Sequence, residues 1–212
     1  AVGSLGSACP ALAATNLLAN PGFESGSGGG SLSGWSAFGN AYAEGTSTGV
    51  ATHAGDGVGK MFGNFWGVGA FNVSGLYQQF PTAPGNAYQL HVYSRQNAGD
   101  DLTGGTADNW VVEKLTFFDA SNTEIGGAAV EARVMDVTFP MDIWVDNPTI
   151  TAVAPAGATS VGAYLLFLQP NLAGGAVLVD DASLVQIVPE PASIGLVGTG
   201  IGLLACRRRR AR

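Results

Sequence analysis

Residues 87–95 read AYQLHVYSR, and apolar and polar side chains alternate along this stretch. One side of an extended chain carries Tyr88, Leu90 and Val92. The other side carries Gln89, His91, Tyr93 and Arg95. A period of two is that of a β-strand with one buried face, so this stretch predicts a half-buried strand.

A second stretch, SVGAYLLFLQ at 160–169, has the same period and carries Val161, Ala163, Leu165 and Phe167 on one face. Its other face, with Tyr164, Leu166 and Leu168, is apolar as well. This pattern predicts a central strand that is covered on both sides.

Short apolar stretches recur along the chain between turn-forming residues, and 32 of the 212 residues are glycine. Residues 14–187 show no amphipathic helix of three turns. We therefore predict an all-β sandwich formed as one domain by residues 14–187. The predicted strands are 16–18, 22–24, 35–43, 49–53, 58–64, 75–80, 88–95, 110–119, 123–130, 148–153, 160–168 and 176–187.

The formal net charge of −7 conceals an asymmetry, because five of the nine basic residues lie within the last six positions. The basic residues before Pro189 are Lys60, Arg95, Lys114 and Arg133, against 15 acidic residues, so this part carries about −11. Charge repulsion disfavours nucleic acid and anionic lipid as partners.

The two cysteines, Cys9 and Cys206, lie outside residues 14–187. Disulfide stapling, thiolate catalysis and cysteine-ligated zinc are therefore excluded from the predicted domain.

The first 18 residues, AVGSLGSACPALAATNLL, are small and apolar, and no charged residue precedes Glu24. The Ala11-Leu12-Ala13 triplet has the small-x-small pattern of a signal-peptidase site, so we interpret residues 1–13 as a signal-peptide remnant cleaved before Ala14. A lipoprotein site at Cys9 and an ordinary disordered terminus stay open as alternatives.

The C-terminal stretch VPEPASIGLVGTGIGLLACRRRRAR, residues 188–212, has three parts. Val188-Pro189-Glu190-Pro191 is followed by 15 uncharged residues, 192–206, predicted as a transmembrane helix. Such a helix would be about 22 Å long, which is short for a bilayer core of about 30 Å. The basic tail at 207–212 would stop transfer and stay cytoplasmic. Its arginine block is Arg207, Arg208, Arg209 and Arg210.

Order and spacing of these parts resemble the PEP-CTERM sorting signal of Gram-negative bacteria. The resemblance implies an exosortase as partner and an exopolysaccharide or biofilm context. It also implies an inner-membrane precursor with a periplasmic body, followed by the cell surface or the extracellular matrix. The alternative is a permanent single-pass anchor.

Four pieces of the chain occur in a recognisable order: NLLANPGFESG at 16–26, Gly34-Trp35, GLYQQFPTAPGNAYQLHVYSR at 75–95 and GAVLVDDASL at 175–184. They resemble the galactose-binding-like jelly rolls, in particular carbohydrate-binding modules of the family 4 and family 9 type. The resemblance implies a jelly-roll β-sandwich whose first and last strands are neighbours.

The same resemblance implies a structural calcium between those strands, with Glu24 and Asp181 as side-chain ligands and Asp180 as a substitute. Backbone carbonyls would complete the six to eight oxygens that calcium requires. Adjacent carboxylates in an apolar strand are also costly unless a cation or hydrogen bonds compensate them. The alternative is that both aspartates lie at an exposed edge and bind nothing.

Sugar rings stack on flat aromatic side chains, while polar neighbours bind their hydroxyls. The candidate platforms are Trp66, Trp110, Trp144 and Tyr42, whereas Trp35 is expected in the core. The candidate hydrogen-bonding residues are Arg95, Gln96, Asn97 and Glu113.

Catalysis has little support, because residues 14–187 contain two histidines, no nucleophile elbow and no phosphate loop. The sequence thus favours an exported, non-enzymatic protein that binds polysaccharide. A matrix protein without a specific ligand and a small glycan hydrolase or lyase are the alternatives.

Overall fold

The computed structural model of the chain describes residues 15–26, 30–65, 71–102 and 108–187. The predicted signal peptide and the whole sorting signal lie outside this part, as does Trp66. Within the described residues, no helix has the length and apolar character needed to cross a bilayer.

The described residues form two β-sheets, as expected for a jelly-roll sandwich. Sheet A has the strand order β2-β3-β11-β5-β8, with β9 also paired to β5, and sheet B has the order β1-β4-β10-β6-β7. The strands are β1 (Ser36–Phe38), β2 (Asn40–Gly45), β3 (Gly57–Phe62), β4 (Asn72–Pro81), β5 (Ala87–Arg95), β6 (Trp110–Phe118), β7 (Val130–Met135), β8 (Val145–Asp146), β9 (Ile150–Val153), β10 (Ser160–Gln169) and β11 (Ala176–Ile187). A single 3-10 turn, Thr46–Thr48, follows β2 in the described chain.

The core lies between the sheets, where the alternating residues of β5 and β10 meet. Leu90 and Val92 of β5 and Val161 and Phe167 of β10 are fully buried. The predicted inward faces of both strands are therefore confirmed. Strand β10 is central in sheet B, and its outer apolar face is half-buried rather than fully covered.

The expected contact between the beginning of the domain and its last strand is also confirmed. Asn16 forms a bridge with Val185, and the Leu17 amide donates to the Leu184 carbonyl over 2.8 Å. Trp35 lies in the core, where its ring stacks on Phe23 with the ring centroids 5.1 Å apart.

Several predicted strands differ from the structure. The predicted strand 35–43 is divided at Gly39, whose φ of 65° turns the chain from sheet B into sheet A. A side chain there would lie 2.9 Å from the Cα of Ser74, so the position requires glycine.

Residues 49–53 form a loop, and 16–18 and 22–24 form no extended strands. Within 123–130, the chain turns at Gly126 and Gly127, where φ reaches 75°, and β7 begins only at Val130. A pattern of apolar residues did not reveal these turns because their glycines are embedded among β-compatible side chains.

Glu113 lies on the inward face of β6, between Val111 and Leu115, and is fully buried. Neither of its carboxyl oxygens has a hydrogen-bond partner in the described structure. Burial raises the pKa of Glu113 to about 8, so the folded protein keeps this carboxyl protonated at neutral pH. The expectation that Glu113 binds sugar hydroxyls is therefore wrong, because the period of β6 turns it into the core.

We predict that Glu113 makes the protein less stable as the pH rises from about 5 to about 8. Over this range the unfolded chain releases the Glu113 proton while the folded chain retains it, so deprotonation favours unfolding. The free energy of unfolding of Glu113→Gln should exceed that of the wild type by an amount that grows toward pH 8, on the order of 3 kcal/mol. Urea titrations at several pH values measure it, with the exposed Glu131→Gln as the control. A difference that does not change with pH would contradict the prediction.

Candidate functional site: the outer face of sheet A

The outer face of sheet A carries a concentration of aromatic and titratable side chains. On β5, the side chains of His91, Tyr93 and Arg95 point outward, because Leu90, Val92 and Ser94 occupy the inward positions. The sequence period placed these three residues on one face, and the sheet pairing now supplies their neighbours.

Tyr93 is the centre of one group, which we call the Tyr93 cluster: His53, His91, Tyr93 and Trp144. The His53 ring stacks on Tyr93 with a centroid distance of 3.9 Å and an interplanar angle of 15°. The His91 ring meets Tyr93 edge-on at 4.9 Å, and Trp144 contacts His53 at 5.7 Å. Folding thus brings the chain's two histidines to the same tyrosine.

Each histidine of the Tyr93 cluster is paired with an aspartate. His53 Nδ1 lies 2.6 Å from Asp181 Oδ2, and His91 Nε2 lies 2.7 Å from Asp146 Oδ1. These pairs fix the orientation of both rings, and the second nitrogen of each ring remains for other partners.

His53 reaches this face through the 49–56 loop, which is held down by Asp180. The Asp180 carboxylate accepts hydrogen bonds from the backbone amides of His53, Ala54 and Asp181, over 2.8, 3.2 and 2.7 Å. Asp180 is fully buried beneath the loop. Burial raises the pKa of Asp180 to about 6, and the three amide donors oppose this shift.

A second group, the Phe62 run, lies toward the β2 edge of the same face and consists of Tyr42, Phe62 and Phe65. Tyr42 stacks on Phe62 at 5.8 Å, and Phe65 approaches Phe62 at 5.6 Å. Tyr42 is 37% and Phe65 65% exposed, so both present ring surface to solvent.

Sheet pairing connects the two groups. Tyr42 is paired with Lys60, Lys60 with Leu178, and Leu178 with Arg95. Three strand spacings of about 4.8 Å separate Tyr42 from Arg95, so the row spans about 14 Å. The middle of this row is covered, since Leu178 is 3% exposed, whereas Tyr42 at its β2 end faces solvent.

The structure brings together three of the predicted sugar-binding residues and separates a fourth. Tyr42, Trp144 and Arg95 lie on the outer face of sheet A. Trp110 lies at the start of β6 on the outer face of sheet B, with the Arg133 guanidinium 5.0 Å from its ring centroid and Phe71 at its edge. Gln96 is buried and donates to the carbonyls of Asp136 and Phe139.

Sequence analysis did not find His53, Tyr93, Phe62 or Phe65. Tyr93 could have been found, because the alternation along this strand places it on the same face as Arg95. His53 had no such signal, because it enters the site through a loop whose anchor, Asp180, is 127 positions away.

The predicted calcium ligands lie near one another around Gly22. A Cβ on Gly22 would be 3.5 Å from Asp181 Oδ1 and 3.8 Å from Glu24 Oε1, so both oxygens border the same glycine-lined space. The second oxygen of each carboxylate is already engaged, by His53 and by the Asp56 amide. Both Asp180 oxygens are likewise taken by amides.

Two carboxylate oxygens of this arrangement are therefore available to a cation. In the described chain, no three His, Cys, Asp or Glu side chains converge on one point. Backbone carbonyls would have to supply the remaining ligands, which is within the normal range for calcium.

Comparison with known proteins supports the predicted sorting signal and the predicted jelly-roll fold. Residues 188–210 match the family model described as the PEP-CTERM protein-sorting motif, so the chain carries this motif at its C-terminal end. No curated protein matches the chain.

Solved structures resemble the body of the chain. The module TmCBM61, solved with β-1,4-galactotriose, is 19% identical with a TM-score of 0.50, over 82% of this chain and 99% of the module. A cyclase from Fischerella sp. TAU is 18% identical with a TM-score of 0.56, over 84% of this chain and 100% of the cyclase. The enzymatically active domain of the bacteriophage CBA120 tailspike protein 4 is 11% identical with a TM-score of 0.54, over 81% of this chain and 21% of that domain.

At these identities the likeness shows the fold alone. The body is a jelly-roll sandwich of the kind found in carbohydrate-binding modules. Proteins of different activity share this architecture, so function has to be argued from the site.

We predict that Asp180→Ala releases the 49–56 loop from sheet A. The substitution leaves three backbone amides without their acceptor, and it should lower the free energy of unfolding by about 3 kcal/mol. Hydrogen exchange should accelerate at the amides of His53 and Ala54. Asp146→Ala, which removes an exposed carboxylate from the same face, is the control and should leave this exchange unchanged. Unaltered protection of His53 and Ala54 in Asp180→Ala would refute the anchoring role.

Proposed function

We propose that the body binds polysaccharide through the outer face of sheet A, as the non-enzymatic binding domain of an exported protein. The observation that carries this proposal is the combination of aromatic rings and polar side chains on one sheet face, where Tyr42 and Phe65 are exposed to solvent. Sugar rings pack their C–H surfaces on such rings and exchange hydrogen bonds with polar neighbours.

The shape of the face favours a polymer over a small molecule. Aromatic groups lie toward both ends of the row from Tyr42 to Arg95, which spans about 14 Å. A small ligand is normally enclosed in a cavity, whereas a glycan chain can contact both groups at once.

We propose that the body binds the glycan without catalysing a reaction on it. The histidine–aspartate pairs are the groups most suited to proton transfer, and their rings also contribute to the aromatic surface around Tyr93. Release of new reducing ends from a bound glycan would establish the hydrolase or lyase alternative instead.

The C-terminal motif supports export and sorting. We propose that an exosortase recognises residues 188–191 and processes the chain, which then reaches the cell surface or the matrix of an exopolysaccharide-producing cell. Sorting to the surface and polysaccharide binding agree with each other, because a sorted surface protein would meet polysaccharide at its destination.

We also propose that Glu24 and Asp181 hold a structural calcium beside Gly22. A bound cation would neutralise the two carboxylates and tie the beginning of the domain to its last strand. Asp180 has no part in it, since its oxygens bind backbone amides.

We expect Tyr42→Ala and Trp144→Ala each to weaken binding to a retained polysaccharide tenfold or more, or about 1.4 kcal/mol, without loss of the fold. Affinity electrophoresis through a panel of polysaccharides that includes β-1,4-galactan measures this effect. Trp110→Ala is the matched control, because it removes the same kind of side chain from the opposite sheet. A loss confined to Trp110→Ala would move the site to sheet B.

For the calcium site, chelation should lower the melting temperature by roughly 5 °C, because the cation binds only the folded chain. Glu24→Gln should melt at the lower temperature with or without chelator, whereas Glu44→Gln should respond like the wild type. A melting temperature that chelator does not change would rule out a stabilising calcium.

For the sorting signal, mass spectrometry of the exported protein should find no peptide that contains the arginines at 207–212. Glu190→Ala should accumulate as uncut precursor, and Glu131→Ala, an equal change of charge within the body, should be processed normally. An exported protein that retains Arg212 would leave only a membrane anchor.

A further inference from the structure

The charge distribution of the body narrows the class of glycan that its aromatic face accepts. The body contains 15 acidic residues and four lysine or arginine residues. A polymer that carries uronate, sulfate or phosphate groups would have to find its counter-charges among those four and the two histidines, which are themselves paired with Asp181 and Asp146.

All four basic side chains are already engaged in ion pairs. Two lie on the outer face of sheet A, where Lys60 pairs with Asp100 at 3.2 Å and Arg95 with Asp142 at 3.5 Å. The two on sheet B are paired as well, Lys114 with Glu124 and Glu131, and Arg133 with Asp136. The carboxylate beside each of these cations would repel an approaching anionic ligand.

Carboxylates on the outer face, in contrast, remain accessible beside the aromatic rings. The side chains of Asp146 and Asp142 are 71% and 54% exposed, and the described hydrogen bonds and ion pairs use only the Oδ1 atom of each. Asp146 is held against the Tyr93 cluster by His91, so an acceptor oxygen and aromatic surface lie together. An ammonium group favours both kinds of neighbour, through charge-assisted hydrogen bonds and through attraction to ring faces.

We propose that the glycan bound by the outer face of sheet A is an amino-sugar polymer with free, protonated amino groups. This inference rests on the proposed polysaccharide binding and specifies its substrate class. The aromatic rings carry the sugar planes, while Asp146 and its neighbours receive the ammonium groups. Neutral sugars bind through stacking and hydrogen bonds without the added charge attraction, and polyanions are excluded by the surplus of carboxylates.

The test compares three 1,4-linked hexasaccharides by titration calorimetry, at a pH at which free amino groups of glucosamine are protonated: β-1,4-glucosamine, its fully N-acetylated form, and an α-1,4-galacturonate hexamer as the anionic probe. The protein is the full chain with its five C-terminal arginines replaced by glutamine, because those arginines would attract the anionic probe themselves. Glucosamine should bind at least fivefold more tightly than the acetylated hexamer at about 20 mM salt, and this preference should shrink at about 200 mM. Galacturonate should show no binding. Equal or tighter binding of the acetylated hexamer, or binding of galacturonate, would overturn the proposal while leaving polysaccharide binding intact.

Substitutions locate the effect. Asp146→Asn should weaken glucosamine binding about threefold or more and leave the acetylated hexamer unaffected. Glu131→Gln, an equal change of charge on the opposite sheet, should alter neither. An equal loss in both variants would show a diffuse charge effect and overturn the assignment to this face. If neither these hexamers nor neutral β-1,4-galactan and xylan bind, the proposed function itself fails.

Discussion

The buried carboxylate of Asp180 is the interaction on which the candidate site depends. It accepts three backbone hydrogen bonds, two of them from the 49–56 loop, whose other contact with β11 is the pair of His53 and Asp181. Through this contact the loop delivers His53 to the face of Tyr93. The two adjacent aspartates therefore have different roles: Asp180 builds the site from within, and Asp181 faces its surface beside His53.

The fold could be predicted from the sequence where apolar residues alternate with a period of two. The prediction failed where a single residue sets the backbone conformation. Strands β5, β10 and β11 were predicted closely because each has an alternating or continuous apolar pattern that only a sheet satisfies. The division at Gly39 and the turn at Gly126–Gly127 depend on backbone conformations that leave no trace in hydrophobicity. The predicted role of Glu113 was wrong for a related reason. Burying a charged side chain normally costs free energy, so a glutamate is expected on the outer face of a strand. The protein lowers this cost by keeping the Glu113 carboxyl protonated.

The site was only partly accessible to sequence reasoning. Tyr42, Trp144 and Arg95 were chosen as side chains that bind sugars, and all three lie on one sheet face. Trp110 was chosen by the same argument and lies on the other face, because residue type alone does not say which sheet a strand joins. The Tyr93 cluster combines residues from three separate parts of the chain, and only strand pairing and the anchored loop reveal it.

The central claim is that glycan binds the outer face of sheet A, and nuclear magnetic resonance tests it most directly. A titration of the isotope-labelled protein with soluble glucosamine and galactose oligosaccharides would map the contact residue by residue. The account predicts that the backbone signals of His53, Phe62 and Tyr93 shift together, while those of Tyr77 and Tyr164 on sheet B remain in place. Shifts concentrated on sheet B, or no shifts with any oligosaccharide, would contradict it.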